Sequence, residues 1–438
     1  MSPQRQAELY YRAGVSKSQS GHQSDAIVYF SDAIKLNSTN DQFYLARAAA
    51  KVALQDYVSA IKDYDQAVEL NPSNEQVFYV RGLCKLSLKD YKGAITDFTA
   101  AIELNPDDAS VHNDRGLARA NLRNWNDALA DFNKVAELTP QEATAYRNRA
   151  AVQYMLKEYE KALADASKAI ELDGHDAFSY RIRGHAKASL KNFQDALTDF
   201  DKVVELTPQA AEAYAARGGV KLLMDDFAGA DADLEKAFQL NPNNLIAFAT
   251  RGFLKEKRGD YTGALADFNQ VVEMGGPQLP EACASLGLLQ YNLSQWNPAL
   301  DNLRKAQQMG CTEEDLPFYI WLIQSQSGKS DDANKELKAI LNSLQGEKAT
   351  NWTASIGHFL IGDLPEDEFL NQATTKVRRP SAIKGQICES FYFAGMKHKL
   401  AGDKPGAVDF FQKCLATGSD NSFGYISAQF ELRELKKP

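Results

Sequence analysis

At 438 residues, with 49 basic against 58 acidic side chains and a formal net charge of −9, the chain exceeds what one hydrophobic core usually supports. It is also too acidic for a general binder of phosphate backbones. No stretch is apolar and long enough to span a bilayer, and Met1-Ser-Pro-Gln-Arg-Gln lacks the apolar core of a secretory signal. The expected compartment is the cytoplasm, or the periplasm and envelope if a signal precedes this sequence. The five cysteines (Cys84, Cys283, Cys311, Cys388, Cys414) have no C-x-x-C spacing. They read as small core residues of a reducing compartment.

In chain order, the first predicted elements are eight helical pairs in one register, from about Ala7 to Gly276. An alanine recurs every 34 residues, at Ala26, Ala60, Ala94, Ala128, Ala162, Ala196, Ala230 and Ala264. Twelve residues upstream of each lies a small residue: Gly14, Ala48, Gly82, Gly116, Ala150, Gly184, Gly218 and Gly252. Three residues before it, from the second repeat on, stands an aromatic such as Tyr57, Trp125 or Phe193, and four after it a large side chain, with Ala166 as the exception. Twelve residues downstream come Ser38, Pro72, Pro106, Pro140, Gly174, Pro208, Pro242 and Gly276.

Two helices of about 14 residues, each roughly 21 Å long, fill such a period. The small columns mark where two helix surfaces approach closely, and a larger side chain there pushes the axes apart. The aromatic lies near the turn, over the end of the helix pair. Each proline ends the second helix, because it lacks an amide donor and restricts the residue before it. One such pair cannot bury its apolar face alone, so neighbours must stack.

Beyond Gly276 the pattern loosens. A one-residue insertion falls around Gly275-Gly276-Pro277, and a ninth unit resumes with Gly287, Trp296, Ala299 and Leu303. A tenth is degenerate, with Trp321 where glycine is expected, although Gly328, Ala333 and Leu337 keep the spacing. Residues 348–380 read as a loose helical pair around Trp352, Phe359, Leu360 and Phe369. The register returns with Phe391, Gly395, Ala407, Phe411 and Cys414. Phe423 to Leu435 reads as a capping helix, with Tyr425, Ile426 and Phe430 as its apolar positions and a polar face for water. The expected division is 1–276 for the regular units, 277–347 for two divergent ones, and 348–438 for the irregular pair, the last unit and the cap.

The small-residue, aromatic, alanine and proline columns at this period resemble the tetratricopeptide repeat. The resemblance implies an all-α, right-handed α-solenoid of about eleven helical hairpins with a C-terminal capping helix. It also implies that the first helices line a concave groove for a peptide or partner helix. Carried onto this sequence, the family's contact positions are Tyr79, Leu83 and Leu86; Asn113, Asp114 and Leu117; Arg147, Asn148, Ala151 and Tyr154; Arg181 and His185; and Phe253. Arg147 and Arg181 hold the same place in adjacent units, beside Asn113, Asn148 and His185, and suit a peptide backbone or carboxylate. The alternative is a solvated face on which Leu83, Leu117 and Phe253 pack between helices. The chaperone-tail carboxylate clamp is unsupported, since Asn113, Leu117, Phe178 and Ile182 occupy its required places.

A second resemblance covers the last 90 residues. Trp352, Phe359-Leu360-x-Gly362, Phe391-Tyr392-x-x-Gly395, Gly402-Asp403, Ala407, Phe411 and Glu431-Leu432 look like the C-terminal part of bacterial new-lipoprotein-I-type proteins. That resemblance implies a dimeric envelope adaptor for proteases and cell-wall hydrolases, with the family's lipidated cysteine missing here.

Charges repeat as well. Arg47, Arg81, Arg115, Arg149, Arg183, Arg217 and Arg251 each precede an aspartate by sixteen residues (Asp63, Asp97, Asp131, Asp165, Asp199, Asp233, Asp267), and units one and nine lack both. Joint presence and joint absence predict a pair that bridges the two helices of one unit, in preference to a ladder gripping an acidic ligand. Lys51, Lys85, Arg119, Lys187, Lys221 and Lys255 lie one turn further on. Their stems are expected to cover apolar surface while the charged end reaches water.

Nothing in the sequence calls for catalysis. Gly328-Lys329-Ser330 lacks the upstream glycine of a phosphate loop, with Ile323 at its place and no preceding strand. The six histidines (His22, His112, His175, His185, His358, His398) form no pair at metal-ligand spacing, and no G-x-S-x-G occurs. The sequence therefore predicts a non-catalytic interaction scaffold without cofactor or metal. Its expected partner is a protein or peptide, with a homodimer as the alternative, and not nucleic acid. An enzyme with a site assembled in 348–438 is the reading from another class.

Overall fold

A computed structural model describes residues 2–275, 279–311, 313–349, 351–376, 383–419 and 422–436. Among the described residues there are 25 α-helices and no strand, and no helix is long and apolar enough to cross a membrane. The helices fall into two units, 1–213 and 214–438.

In the first unit the 34-residue period becomes a first helix of 13 residues and a second of 14 residues, as in Glu75–Ser87 and Tyr91–Leu104. The residue before the capping position enters the left-handed region at Gln55, Lys89, Arg123, Lys157 and Lys191, with φ between 60° and 64°. This reverses the chain within two residues. Asp90 then caps the second helix, its carboxylate accepting from the Gly93 amide at 3.0 Å. From the second repeat on, the aromatic column supplies the first residue of each second helix. Each of these helices ends on a leucine two residues before the Ser/Pro/Gly column, with Asn71, Asn105 or Thr139 at the C-cap.

The small-residue column works as a steric fit. A methyl group on Gly82 would lie 2.6 Å from the Phe98 ring, and one on Gly116 would lie 2.9 Å from Phe132. Ala166, the exception among the large residues, packs in one cluster with Ala150, so in that unit both partners are alanine. Gly218, in the second unit, faces Leu234 instead of an aromatic, and a methyl group there would meet nothing closer than 3.4 Å. Two substitutions of the same kind should thus have opposite signs. Gly116→Ala is expected to destabilise, because overpacking costs about 1–3 kcal/mol against about 1 kcal/mol of helix propensity. Gly218→Ala should be neutral or stabilising by up to about 1 kcal/mol. Melting temperatures that move in the same direction would contradict the fit.

The second unit begins with the remaining regular helices, among them Leu245–Lys257 and Tyr261–Met274. The inserted residue expected around 275–277 lies outside the described residues apart from Gly275, which ends the helix at φ 72°. Four helical pairs follow, from Leu279–Asn292 to Lys404–Ala416, and then the single helix Phe423–Leu435. Here the chain returns on itself. The Tyr291 and Tyr392 hydroxyls are 2.8 Å apart across 101 residues, and Ser427 Oγ donates to Asn292 Oδ1 at 2.8 Å across 135. Tyr319 packs between Tyr291 and Phe423, with centroid distances of 5.2 and 4.9 Å. Helix Leu316–Gln326 is therefore buried on all sides, which is why its sequence carries no amphipathic period.

The terminal helix differs from expectation. Tyr425, Ile426 and Phe430 are only partly buried; the inward face is Gly424, Ser427, Ala428, Glu431 and Leu432. Small residues win that face because the helix comes close to its neighbour. A methyl group on Gly424 would lie 3.3 Å from Tyr392 Cβ. The polar members are satisfied, Ser427 by Asn292 and Glu431 by Lys399.

Candidate binding groove

Two sets of arginines stand on the first helices, one residue and three residues before the small column, and their surroundings separate them. The set next to the small column is consumed by structure. Arg81 donates through Nε and Nη2 to Asp97 at 3.0 and 2.7 Å, and the same two-pronged contact holds for Arg47–Asp63, Arg149–Asp165, Arg183–Asp199, Arg217–Asp233 and Arg251–Asp267. The aspartates are buried or nearly so. Within the first unit the remaining nitrogen reaches the preceding repeat: Arg47 to Ser31, Arg81 to Asp65, Arg115 to Thr99, Arg149 to Asn133 and Arg183 to Ser167, at 2.7–3.4 Å.

The lysine column turns inward too, against expectation. Lys51 and Lys85 place Nζ 2.7 and 2.8 Å from Asp63 and Asp97, and Arg119 reaches Asp131 at 2.7 Å. Lys51 also donates to the Ser59 carbonyl at 3.2 Å. A buried carboxylate with unused lone pairs outcompetes water for a cation one turn away. In the fifth repeat the place falls to Gln153, which is buried with no partner for its Oε1.

The other set, with its neighbours, faces a different environment. First helices of successive repeats lie side by side, as Ala143–Met155 does with Ala177–Ser189. A polar chain crosses three of them: Tyr79 Oη donates to Asp114 Oδ2 at 3.0 Å, Asn113 Nδ2 donates to Asp114 Oδ1 at 3.1 Å, and Asn148 Nδ2 donates to Asn113 Oδ1 at 2.9 Å. Burial pushes the Asp114 carboxyl up, against the hydrogen bonds from Tyr79 and Asn113. Burial and then Asp114 push the Tyr79 hydroxyl up as well.

Next to this chain is a cationic cluster. Phe178 lies beneath two guanidinia, with Arg147 Cζ 5.7 Å and Arg181 Cζ 4.7 Å from its ring centroid. Arg147 keeps one long contact, 3.8 Å to Asp176. Arg181 has no carboxylate within 4 Å among the described residues. Burial weakens its hold on its proton, and the more distant Glu212 and Asp176 only partly offset this. His185 completes the cluster, with its ring centroid 4.9 Å from Phe200 and 5.9 Å from Tyr154. Burial, and then the charge of Arg181, pull its pKa down to about 4. The stability that the neutral ring contributes is therefore complete above about pH 6.5 and is lost as pH falls towards 4.

Of the residues expected from the sequence, Tyr79, Asn113 and Asn148 meet in the polar chain, and Arg147, Tyr154, Arg181 and His185 in the cationic cluster. Leu83 and Leu117 are half-buried and pack against the clusters around Phe98 and Phe132. Phe253 belongs to the second unit, where its ring meets Phe268 edge-on at 5.0 Å. Sequence reasoning missed Phe178 as the platform for both arginines; its place three residues before Arg181 was the available signal. It also missed Gln153, marked only by a break in the basic column.

Comparisons with known proteins agree with this architecture. Family models described as tetratricopeptide repeat match residues 45–109 and 113–177, and 7–40 and 211–244. No curated protein matches the sequence. Among solved structures, the chain is similar to a tetratricopeptide repeat protein from Parabacteroides merdae, at 20% identity and TM-score 0.51, covering 57% of this chain and 98% of that one. It is also similar to the C-terminal part of a repeat-containing protein from Cytophaga hutchinsonii, at 20% identity and TM-score 0.46, covering 55% and 98%. A third is MamA from Desulfovibrio magneticus, at 21% identity and TM-score 0.37, covering 39% and 97%. The repeating columns, the helical pairs they form and the family matches together show that this chain carries tetratricopeptide repeats.

Proposed function

We propose that the protein is a non-catalytic interaction scaffold that holds an extended peptide or a partner helix across the first helices of repeats three to six. Tyr79, Leu83, Asn113, Leu117, Arg147, Asn148, Tyr154, Arg181 and His185 line that groove. One observation carries the reading. Each ladder arginine has a carboxylate partner, whereas Arg181 is partly buried and has none within 4 Å among the described residues. A guanidinium held in that state is compensated by a ligand that brings an acidic side chain, a terminal carboxylate or backbone carbonyls. The Asn148 carboxamide, one residue from Arg147 and bonded to Asn113, suits a peptide backbone.

The test is the double variant Arg147→Ala/Arg181→Ala, assayed against the partner captured by affinity from native cells. Affinity should fall by roughly 1–3 kcal/mol, on the order of ten- to a hundredfold. The melting temperature should hardly move, because neither side chain holds a close ion pair. A double variant that binds as tightly as the parent would move the binding surface elsewhere.

A further inference from the structure

Two of the five cysteines do more than fill the core. Cys388, on the helix Ile383–Leu400, and Cys414, on the helix Lys404–Ala416, bring their sulfur atoms within 3.0 Å across 26 residues. Both are fully buried. The pair lies under the start of the terminal helix. Ser422, which caps that helix, donates to Cys388 Sγ at 3.2 Å, and the Gly424 carbonyl oxygen lies 3.6 Å from Cys414 Sγ. A disulfide has sulfurs about 2.05 Å apart, so closure requires a displacement of about 1 Å.

We propose that Cys388 and Cys414 form a dithiol site that closes to an intrachain disulfide by exchange with a low-molecular-weight disulfide. The bond staples the two helices of the last repeat beneath the terminal helix. The Cys388 thiolate attacks one sulfur of the small disulfide and expels one thiolate, leaving a mixed disulfide. Deprotonated Cys414 then attacks the Cys388 sulfur and expels the second. Two protein thiols are oxidised, one small disulfide is reduced to two thiols, and the two protein protons pass to those thiolates. The order of attack follows from the surroundings. The hydrogen bond from Cys414, reinforced by Ser422 and Thr417, outweighs burial and brings the Cys388 thiol down to about 6, while the same contact and burial push Cys414 up. Since both sulfurs are buried, exchange proceeds through local opening of the last repeat, and refolding then shields the closed bond from reductant.

The full chain, reduced and then equilibrated in glutathione buffers of graded oxidised-to-reduced ratio, tests this. A parallel sample is unfolded and refolded in each buffer, so that access to the sulfurs does not limit the outcome. After acid quenching, denaturation and alkylation, three cysteines should label instead of the five present when reduced, and a non-reduced digest should join the peptides of Cys388 and Cys414. Cys388→Ser and Cys414→Ser should each abolish that crosslink, and the closed form should melt at a higher temperature than the reduced one. Five labelled cysteines at every ratio in both samples, or a crosslink through Cys84, Cys283 or Cys311, would overturn the proposal.

Discussion

Asp131→Ala is expected to lower stability by about 3–5 kcal/mol while leaving partner affinity nearly unchanged. Asp131 is 2% exposed and accepts from Arg115 through Nε and Nη2 and from Arg119 through Nη1. Removing the carboxylate strands two mostly buried guanidinia between the helices of one repeat, where water replaces the lost contacts only in part. Arg115 also reaches Thr99 of the preceding repeat at 3.2 Å, so the damage spreads to a neighbour. Asp131→Asn keeps the volume and one acceptor and should lose less. An exposed pair offers the contrast: Lys35–Asp32 leaves its lysine side chain 75% accessible, and Asp32→Ala should change stability by less than about 1 kcal/mol. Chemical denaturation of the three variants decides the matter, since equal losses at Asp131 and Asp32 would remove the ladder from the structural account.

Phe369→Ala should be comparably damaging in the second unit, at about 3–5 kcal/mol. The ring is fully buried and stacks between two others, 4.1 Å from Phe359 with planes 5° apart and 5.2 Å from Trp352 with planes 7° apart. It is the apolar link between the helices Trp352–Ile361 and Glu366–Thr375, which have only ten residues each and also share the Ser355–Gln372 hydrogen bond at 2.7 Å. Trp352 also donates Nε1 to Glu389 at 2.7 Å, which ties the stack to the next pair. The indole therefore reports on the stack, and its emission should shift towards longer wavelength in the variant as water enters. Phe369→Leu, which retains most of the volume, should keep the parental spectrum. A parental spectrum and midpoint in Phe369→Ala would show that the stack contributes little.

How much of this was legible depended on whether a residue's partner lay a fixed distance along the chain. The small residue and the side chain packed on it, as Gly116 and Phe132, are sixteen residues apart throughout the regular units, and so are arginine and aspartate in units two to eight, so the period exposes both the close approach and the ion pair. The lysine column failed for a reason of competition. Spacing placed Lys51 on the right helix face, but nothing local revealed that Asp63 retained an unused lone pair facing it. In the second unit the signal faded because helices such as Leu316–Gln326 are enclosed on all sides, and the face that makes a helix readable does not exist there. The terminal helix was misread because its inward face was chosen for smallness and hydrogen bonding, whereas hydrophobicity was the property the pattern displayed. In the groove, Arg147 and Arg181 were visible as one column. Phe178 was not, because its role depends on lying beneath residues of two different repeats.

The return of the chain in the second unit sets a counting rule that the first unit escapes. Within the first unit each pair of helices depends on its neighbours alone, through contacts such as Arg115 to Asp131 and Thr99. One whole period can be gained or lost there, and the flanking arginines find equivalent partners in the repeat that takes its place. Tyr291 and Tyr392 meet across 101 residues, and Asn292 and Ser427 across 135. Adding or deleting a helical pair between them carries Tyr392 and Ser427 away from their partners. Insertion or deletion of one whole period should therefore be tolerated among the regular repeats and should disrupt the fold when it falls between Tyr291 and Ser427.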